Sequence, residues 1–267
     1  MVDLPPHAKT ISCRWIFKKK LKPDGSINKY KARLVAKGYN QKKDIDYFDT
    51  FAPTTRISSI RVLIALTSIH NLFVNQIDVK TAFLNGDLEE EIYIDQPKGY
   101  IAKGNEQKVC KLVKSLYGLK QKPKQWHDKF DKVIVSNGYL INEADKCIYY
   151  KSYDTNTYVI ICLYVDDMLI FGTSINVINE TMNFLTFNFD MKDMGEANVI
   201  LGIKIVKGDD SPALSQERYI EKFFKKFKLF DCKLVSTPYD TNTQLKKNTS
   251  DSVSQSEYAK IIGSRIF

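Results

Sequence analysis

The sequence is poor in the features that mark secreted, zinc-binding or membrane-spanning proteins. Its five cysteines are scattered, odd in number and never spaced as CxxC, which argues against a disulfide framework and against a zinc site. The first residues, MVDLPPHAKT, contain no apolar signal core, and no apolar run reaches the length of a bilayer span. These absences predict an intracellular protein that does not enter a membrane.

Positive charge is in excess, and it is unevenly distributed. Forty Lys and Arg stand against 31 Asp and Glu, which gives a formal charge of +9. Residues 1–50 hold ten Lys and two Arg against five Asp, a local surplus of seven. Such a patch fits a protein that binds a polyanion, and charge alone fits a solvated lysine-rich surface equally well.

The pattern of apolar residues predicts a mixture of strands and helices without strict βαβ alternation. We expect a hairpin over residues 14–38 that turns at Asp24-Gly25, and a helix over about 57–70 capped by Ser58 or Ser59. Further predicted helices cover about 123–138, 174–189 and QERYIEKFFKKFKLF. Predicted strands are LFVNQID, EIYIDQP, CIYYKSY, TYVIICLY and NVILGIKIV, and 240–257 is a predicted linker. This order favours an α+β fold with a mostly antiparallel sheet.

Two adjacent carboxylates, Asp166 and Asp167, interrupt the most apolar stretch of the chain, in CLYVDDMLIF. Charged side chains are rarely buried unless they are paired or bind a metal. The surrounding sequence predicts a β-hairpin with the Asp pair at its tip, where Asn-Gly or Asp-Gly would be better turn residues. A divalent cation explains this choice, because hard cations take oxygen ligands and leave positions for water and phosphate.

A third carboxylate, Asp78, lies at the end of another apolar strand, in QIDVKTAFLNG. If the two strands are neighbours in one sheet, their ends bring Asp78 and Asp166 together. Two metal ions about 3.5–4 Å apart could then be held between them. A YVDD tetrapeptide alone is a weak motif, and the upstream aspartate strengthens it.

The chain resembles the reverse transcriptase of copia-type LTR retrotransposons from about Cys13 to its end. The matching stretches, in the family's order, are CRWIFKKKLKPDGSINKYKARLVAKGYNQ, YFDTFAPTTRISSIR, QIDVKTAFLNGDLEEEIYIDQPKGY, KLVKSLYGLKQKPKQWHDKF, CLYVDDMLIFG, MKDMGEANVILGIKI and LSQERYIEKFF…STPYD. Several stretches in one order are far more specific than YVDD alone. The resemblance implies a right-hand polymerase architecture, an α+β fold with fingers, palm and thumb and an antiparallel palm sheet flanked by helices.

The resemblance also implies roles for individual residues. Asp78, Asp166 and Asp167 would be the catalytic and metal-binding set, with two Mg²⁺ ions on Asp78 and Asp166 and a less direct role for Asp167. Mn²⁺ is expected to substitute for Mg²⁺. The implied nucleotide-binding residues are Lys31, Arg33, Phe83, Tyr117 and Gly118, with Lys19 or Lys20 facing them, and the implied primer grip is Leu201 and Gly202.

Each of these assignments has a plain structural alternative. The Phe83 ring would lie under the sugar and clash with a 2′-hydroxyl, and without the resemblance it is an ordinary core aromatic. Tyr117 stands where retroviral relatives have Gln, which weakens its implied nucleotide contact. Gly118 and Pro123 match a segment that supports the incoming base pair, or they mark a loop and the start of a helix. Without the resemblance, the lysines are solvated surface and Leu201-Gly202 is part of a plain strand.

The resemblance divides the chain into subdomains. The expected ranges are fingers 1–60, palm 61–85, fingers again 86–122, palm 123–207, thumb 208–240, and a linker with the truncated start of a connection segment 241–267.

These observations predict an RNA-directed DNA polymerase that acts on an RNA template, a DNA primer and dNTPs. The implied location is cytoplasmic, in a retrotransposon particle, or nuclear. Protease, RNase H and integrase segments are expected elsewhere in the intact polyprotein, because their signatures are absent from this sequence. One alternative is a truncated or degenerate copy that only binds nucleic acid. Another is an RNA-directed RNA polymerase, which Phe83 disfavours.

Overall fold

The computed structural model describes residues 1–22, 26–206, 208, 212–228, 230–231 and 254–263. Its strands are β1 Thr10–Ile11, β2 Cys13–Leu21, β3 Ile27–Ala36, β4 Phe73–Val79, β5 Tyr93–Ile94, β6 Cys110–Lys111, β7 Leu140–Ile141, β8 Ile148–Ser152, β9 Tyr158–Tyr164, β10 Asp167–Gly172, β11 Met191–Glu196, β12 Val199–Ile200, β13 Ile203–Val206 and β14 Ala213–Ser215. Its α-helices are α1 Ile57–His70, α2 Lys122–Ser136, α3 Ile175–Asn188, α4 Glu217–Phe227 and α5 Gln255–Gly263. Short 3₁₀ helices cover Gly38–Asn40 and Ala82–Leu84.

A six-stranded sheet forms the centre of the first of two compact units, Met1–Ala197. Its strand order is β11-β4-β10-β9-β8-β7, and every neighbouring pair is antiparallel. A separate small sheet, β1-β5-β6, includes one parallel pair. The α+β class and the antiparallel central sheet are therefore confirmed.

Helices α2 and α3 pack on one face of the six-stranded sheet. Trp126, Phe130 and Ile134 of α2 repeat at four-residue intervals, so they share one side of the helix and are all buried. They join sheet residues such as Ile77 and Met168 in one continuous apolar core. Helix α1 and the neighbouring strands β8 and β9 border an apolar groove of about 700 Å³. One face of the sheet thus carries most of the core that fixes β4 and β10.

The hairpin of β2 and β3 carries lysines on one face and the Trp15 ring on the other. Directly paired residues of an antiparallel ladder share a face, so the pairs Lys18–Lys31 and Lys20–Lys29 lie on one side. Trp15 lies on the opposite side and packs against Tyr100 at 5.4 Å between ring centroids. The hairpin prediction is confirmed, whereas its Asp24-Gly25 turn lies outside the described residues.

The prediction of a serine cap on α1 was wrong. The N-cap residue is Arg56, and neither Ser58 nor Ser59 caps the helix with its side chain. Asp145, which is 7% exposed, accepts hydrogen bonds from the Arg56 amide at 3.1 Å and the Ser59 hydroxyl at 2.7 Å. A carboxylate from a distant loop therefore satisfies the helix start, where negative charge is favourable.

The second compact unit covers Asn198–Phe267 and contains a three-stranded sheet, β12-β13-β14. NVILGIKIV is not the single strand that we predicted, because it turns between β12 and β13 at Leu201-Gly202. Both turn residues have positive φ, 51° and 82°, as a tight hairpin turn requires. The predicted linker 240–257 lies mostly outside the described residues, and its end belongs to α5.

In the described ranges, no helix combines the length and apolarity that a membrane crossing needs.

Candidate active site

Antiparallel pairing of β4 with β10 places the predicted acidic residues at one end of the central sheet. Asp78 lies opposite Asp167 in the register, and the Val79 amide donates a hydrogen bond to the Asp166 carbonyl at 2.8 Å. Asp78 and Asp166 both line an open cleft of about 750 Å³. The structure brings these two strand ends together, and the catalytic roles of the residues stay predictions.

The turn that carries Asp166 is strained. Tyr164 pairs with Asp167, so the hairpin tip is Val165-Asp166 and not the Asp pair that the sequence predicted. Val165 has φ 59°, a conformation that a β-branched residue rarely adopts and that costs about 1–3 kcal/mol. The Trp126 indole N–H donates to the Val165 carbonyl at 2.7 Å. This bond from the buried side of helix α2 holds the strained peptide, and with it the Asp166 backbone, in place.

We expect Trp126→Phe to lower activity by loosening this turn. The change leaves the Val165 carbonyl without its indole donor, a loss of about 1–3 kcal/mol when a buried group stays unpaired. Phe130→Leu, one helical turn away in the same core, is the control, because it removes packing and no hydrogen bond to the turn. Both variants should lose stability in urea unfolding, and only Trp126→Phe should lose turnover per folded molecule, by about tenfold. Equal turnover in the two would contradict the role of the bond.

Asp167 differs in environment from Asp78 and Asp166. It is half-buried, it does not line the cleft, and it accepts a hydrogen bond from the Gln76 amide at 3.4 Å. Burial raises the pKa of the Asp167 carboxyl, the negative charges of Asp166 and Asp78 add to that rise, and the Gln76 bond opposes it. Across the described part of the chain, no three Asp, Glu, His or Cys side chains form a metal-holding group. A three-carboxylate ligand set therefore stays a prediction.

The part of the cleft that the β2–β3 hairpin lines, called here the basic wall, is cationic. It is lined by the β2–β3 residues Lys20, Lys29, Lys31 and Arg33. Desolvation lowers the pKa of the Lys31 ammonium, and the neighbouring charges of Lys20, Arg33 and Lys29 lower it further. No carboxylate lies within ion-pair distance of these four cations among the residues with described positions. Such a wall favours a polyanionic ligand.

Two lysines near Asp78 were missed by the sequence analysis. Lys192 of β11 is the cross-strand partner of Asp78 and lines the same cleft. Lys80, two residues after Asp78, forms an ion pair with Asp190 in which Nζ and Oδ1 are 2.8 Å apart. The local sequence around Lys192, FDMKDMG, gives no signal of this position, because only the β4–β11 register creates it.

The segment that carries Tyr117 and Gly118 is clamped against the end of β3. The Ala36 amide donates to the Tyr117 carbonyl at 2.7 Å. Gly118 has φ 97°, and a Cβ built there would lie 2.0 Å from the Ala36 carbonyl oxygen. A Cβ on Gly38 would likewise lie 1.9 Å from the Gly118 oxygen. Both positions therefore need glycine, since any side chain would separate the two backbones.

A buried glutamine pair, which sequence reasoning also missed, holds the same segment. Gln41 is 4% exposed and Gln121 is fully buried. The Gln41 side chain donates to Gln121 at 3.0 Å and accepts from the Lys120 amide at 2.8 Å. These bonds fix the start of α2 relative to the basic hairpin.

Phe83 lies in the 3₁₀ helix that follows β4 and packs partly against the main core. Its ring meets the Tyr117 ring edge-on, with centroids 6.0 Å apart, and it does not line the main cleft. Pro123 lies in the first turn of α2, as the sequence indicated. Leu201 and Gly202 form a turn in the second unit. The nucleotide and primer roles implied for these residues stay predictions.

The antiparallel sheet that presents Asp78 and Asp166 to a cleft shared with a basic hairpin belongs to the right-hand polymerase fold class. The sequence model described as "Reverse transcriptase (RNA-dependent DNA polymerase)" matches residues 1–241, so the chain belongs to the reverse transcriptase family. The resemblance to copia-type reverse transcriptases that the sequence indicated is therefore confirmed.

Two relatives are plant retrotransposon proteins. The "Retrovirus-related Pol polyprotein from transposon TNT 1-94" of Nicotiana tabacum is 47% identical over 249 residues, which are 92% of this chain and 19% of the relative. The corresponding protein from transposon RE1 of Arabidopsis thaliana is 36% identical over 261 residues, 97% of this chain and 18% of the relative. The chain thus spans about a fifth of the length of these polyproteins.

Among solved structures, apo telomerase from Candida tropicalis matches with a TM-score of 0.42 at 7% identity, over 79% of this chain and 56% of that one.

Proposed function

We propose that the chain is an RNA-directed DNA polymerase that extends a primer on an RNA template. The observation that carries this proposal is the shared cleft, which is lined by Asp78 and Asp166 of the central sheet and by four cations of the β2–β3 hairpin. In each cycle the primer 3′-hydroxyl loses its proton and its oxygen bonds to the α-phosphorus of a dNTP. The bond from that phosphorus to the bridging oxygen breaks, and pyrophosphate leaves.

The acidic wall suits divalent metal ions. Two carboxylates in an open, hydrated cleft leave most ligand positions to water and phosphate, as Mg²⁺ prefers. Asp78 and Asp166 would hold two Mg²⁺ ions, or Mn²⁺ in their place. When bound, these ions would acidify the primer hydroxyl and neutralise the charge of the departing pyrophosphate. The Trp126 bond to Val165 keeps Asp166 oriented for this task.

The basic wall would bind the triphosphate. Lys31 and Arg33 face the cleft, and Lys20 is on the paired strand of the same hairpin. Burial first, and then the repulsion of Lys20, Arg33 and Lys29, lower the pKa of the Lys31 ammonium, and this repulsion is relieved when a polyanion enters. Positioning and charge neutralisation supply most of the rate in phosphoryl transfer, so this wall contributes to catalysis and to binding.

The remaining assignments belong to the same proposal. Asp167 supports the acidic pair, Leu201-Gly202 grips the primer, and α4, rich in lysine, follows the duplex backbone. The subdomain ranges stay as the sequence predicted them. The partners are an RNA template, a DNA primer, dNTPs and the other segments of the polyprotein, and the location is intracellular.

Primer extension on an RNA template tests the proposal directly. We expect labelled DNA primer to be extended with dNTPs when Mg²⁺ or Mn²⁺ is supplied, and extension to stop when EDTA is added. Duplex binding, measured in parallel by fluorescence anisotropy, should weaken with salt at about 0.9 log units of affinity per log unit of salt for each phosphate contacted. Tight duplex binding without extension under both metals would instead support the alternative of a binding-only copy.

Phe83→Ala should admit ribonucleotides if the ring lies under the sugar. Removing it opens the space that a 2′-hydroxyl needs, so the preference for dNTP over rNTP should fall by about 10²-fold or more. Phe184→Ala, which removes another partly buried ring packed on the same core and away from the cleft, is the matched control and should keep the preference. The measurement is kcat/KM for dTTP and UTP on one template. Parent-like discrimination by the Phe83 variant would show that the ring is only a core residue.

A further inference from the structure

Four side chains, two of which line the cleft and two of which do not, form a continuous set of ring and cation contacts: Arg33, Tyr117, Lys122 and Phe83. We call this set the cation–aromatic column. The Arg33 guanidinium lies 5.3 Å from the Tyr117 ring centroid, and the Lys122 ammonium lies 5.7 Å from the same centroid. Lys122 is also 4.8 Å from the Phe83 centroid. The Phe83 and Tyr117 rings meet at 88°.

The backbone at the centre of the column is fixed. The Tyr117 carbonyl accepts the Ala36 amide at 2.7 Å, and Gly118 brings the two backbones into contact where a Cβ would not fit. The main chain that carries the Tyr117 ring is therefore held in place. Arg33 lies on the same strand, β3, three residues before Ala36. The same contact between β3 and the Tyr117 segment thus positions both the Tyr117 ring and the Arg33 guanidinium.

The two cations of the column have no acidic partner in the described ranges. No carboxylate oxygen lies within 4.0 Å of Arg33 or Lys122 there. Lys122 is half-buried, and desolvation lowers the pKa of its ammonium. The electron-rich faces of two rings are what offsets the positive charge of Lys122. An unpaired, partly desolvated cation next to a cationic cleft increases the field that an anionic ligand meets.

We propose that the Tyr117 ring aligns Arg33 and Lys122 for the incoming triphosphate, and that Lys122 is a positioning residue of the nucleotide site. This inference rests on the proposed function. Arg33 and Tyr117 line the cleft, whereas Lys122 does not and acts through the two rings. The ring, and not the phenol hydroxyl, does the aligning. Tyrosine can therefore stand at this position without a hydrogen bond to the nucleotide.

Steady-state kinetics on an RNA template separates this role from a general loss of structure. Tyr117→Leu and Lys122→Met should each raise the KM for dNTP about five- to tenfold, with kcat within about twofold. Tyr117→Phe keeps the ring and Lys122→Arg keeps the charge, so both should stay within about twofold of the parent. Lys151→Met is the matched control, because Lys151 lies over the Tyr139 and Tyr153 rings, at 5.4 and 5.2 Å, away from the cleft.

Two kinetic outcomes would overturn the inference. One is a Tyr117→Phe variant as impaired as Tyr117→Leu, which would assign the effect to the hydroxyl. The other is a parental KM in Lys122→Met. In either case the parent still extends primers, so the proposed polymerase function stands.

A second measurement does not depend on activity. A double-variant cycle of Tyr117→Leu and Lys122→Met, followed by urea unfolding, should show that the two changes are non-additive. Strict additivity would overturn the alignment even if the chain extends no primer. An inactive parent with a coupled cycle would contradict the proposed function and leave the column supported.

Discussion

Asp166→Asn should reduce primer extension on an RNA template by at least about 10³-fold, because it removes a metal-binding charge from the cleft. Asp78→Asn should be equally damaging, since both carboxylates line the same wall. Asp167→Asn should cost less, because that carboxylate bonds Gln76 and does not line the cleft. Single-turnover extension with saturating Mg²⁺ and dNTP measures the chemical step directly.

The matched control for these variants is Asp128→Asn on α2. Asp128 is a half-exposed carboxylate that forms an ion pair with Lys124 at 2.9 Å. The Asp128→Asn variant should extend primers at the parental rate. All four variants should bind a primer–template duplex with near-parental affinity, because a neutral amide keeps the shape of the carboxyl group. An Asp166→Asn protein that polymerises as fast as the parent would remove the acidic pair from the mechanism.

Gly118→Ala should destabilise the fold by at least about 3 kcal/mol, more than most single substitutions. The new Cβ would enter the space of the Ala36 carbonyl oxygen, 2.0 Å away, and the residue would keep a φ of 97° that side chains disfavour. Urea unfolding of the whole chain gives the change in free energy.

Gly138→Ala separates backbone strain from crowding. Gly138 has φ 83°, and nothing lies within 4 Å of a Cβ built there. Only the conformational cost remains at that position, about 1–2 kcal/mol. Gly38→Ala, which meets the Gly118 oxygen, should resemble Gly118→Ala. If Gly118→Ala and Gly138→Ala lose the same free energy, the contact with β3 is not as tight as the structure shows.

Periodicity and strand ends were enough to anticipate the central part of this fold. The strand that ends near Asp78, β4, proved to neighbour β10, which begins at Asp167, whereas β9, the strand before Asp166, lies one position further along the sheet. The predicted helix over about 123–138 proved to be α2, with Trp126, Phe130 and Ile134 on its buried side. These features depend on local sequence, since side-chain period decides which face of an element is buried.

Features that depend on distant pairs were not predictable in this way. Asp145 caps α1 from 86 residues beyond Ser59, and Gln41 meets Gln121 across 80 residues. A serine near a helix start is a common N-cap residue when only the local sequence is considered. In the folded chain, the Asp145 carboxylate accepts the hydrogen bonds at the start of α1 instead. Gly202 did carry a local signal, because an isolated glycine in a strand pattern often marks a break, although the apolar pattern of NVILGIKIV by itself predicted one strand.

The Asp78 strand, β4, has a hydrogen-bonded neighbour on each side, β11 and β10. Amide protons in such a strand exchange with solvent only when the sheet opens as a whole, so Ile77 should be among the slowest-exchanging positions of the domain. Fraying at an edge of the sheet therefore does not reach the strand that carries Asp78. Heat, or destabilising substitutions that leave the Trp126 bond to the Val165 turn intact, should reduce the number of competent molecules and leave the sheet around Asp78 unaltered in those that remain folded.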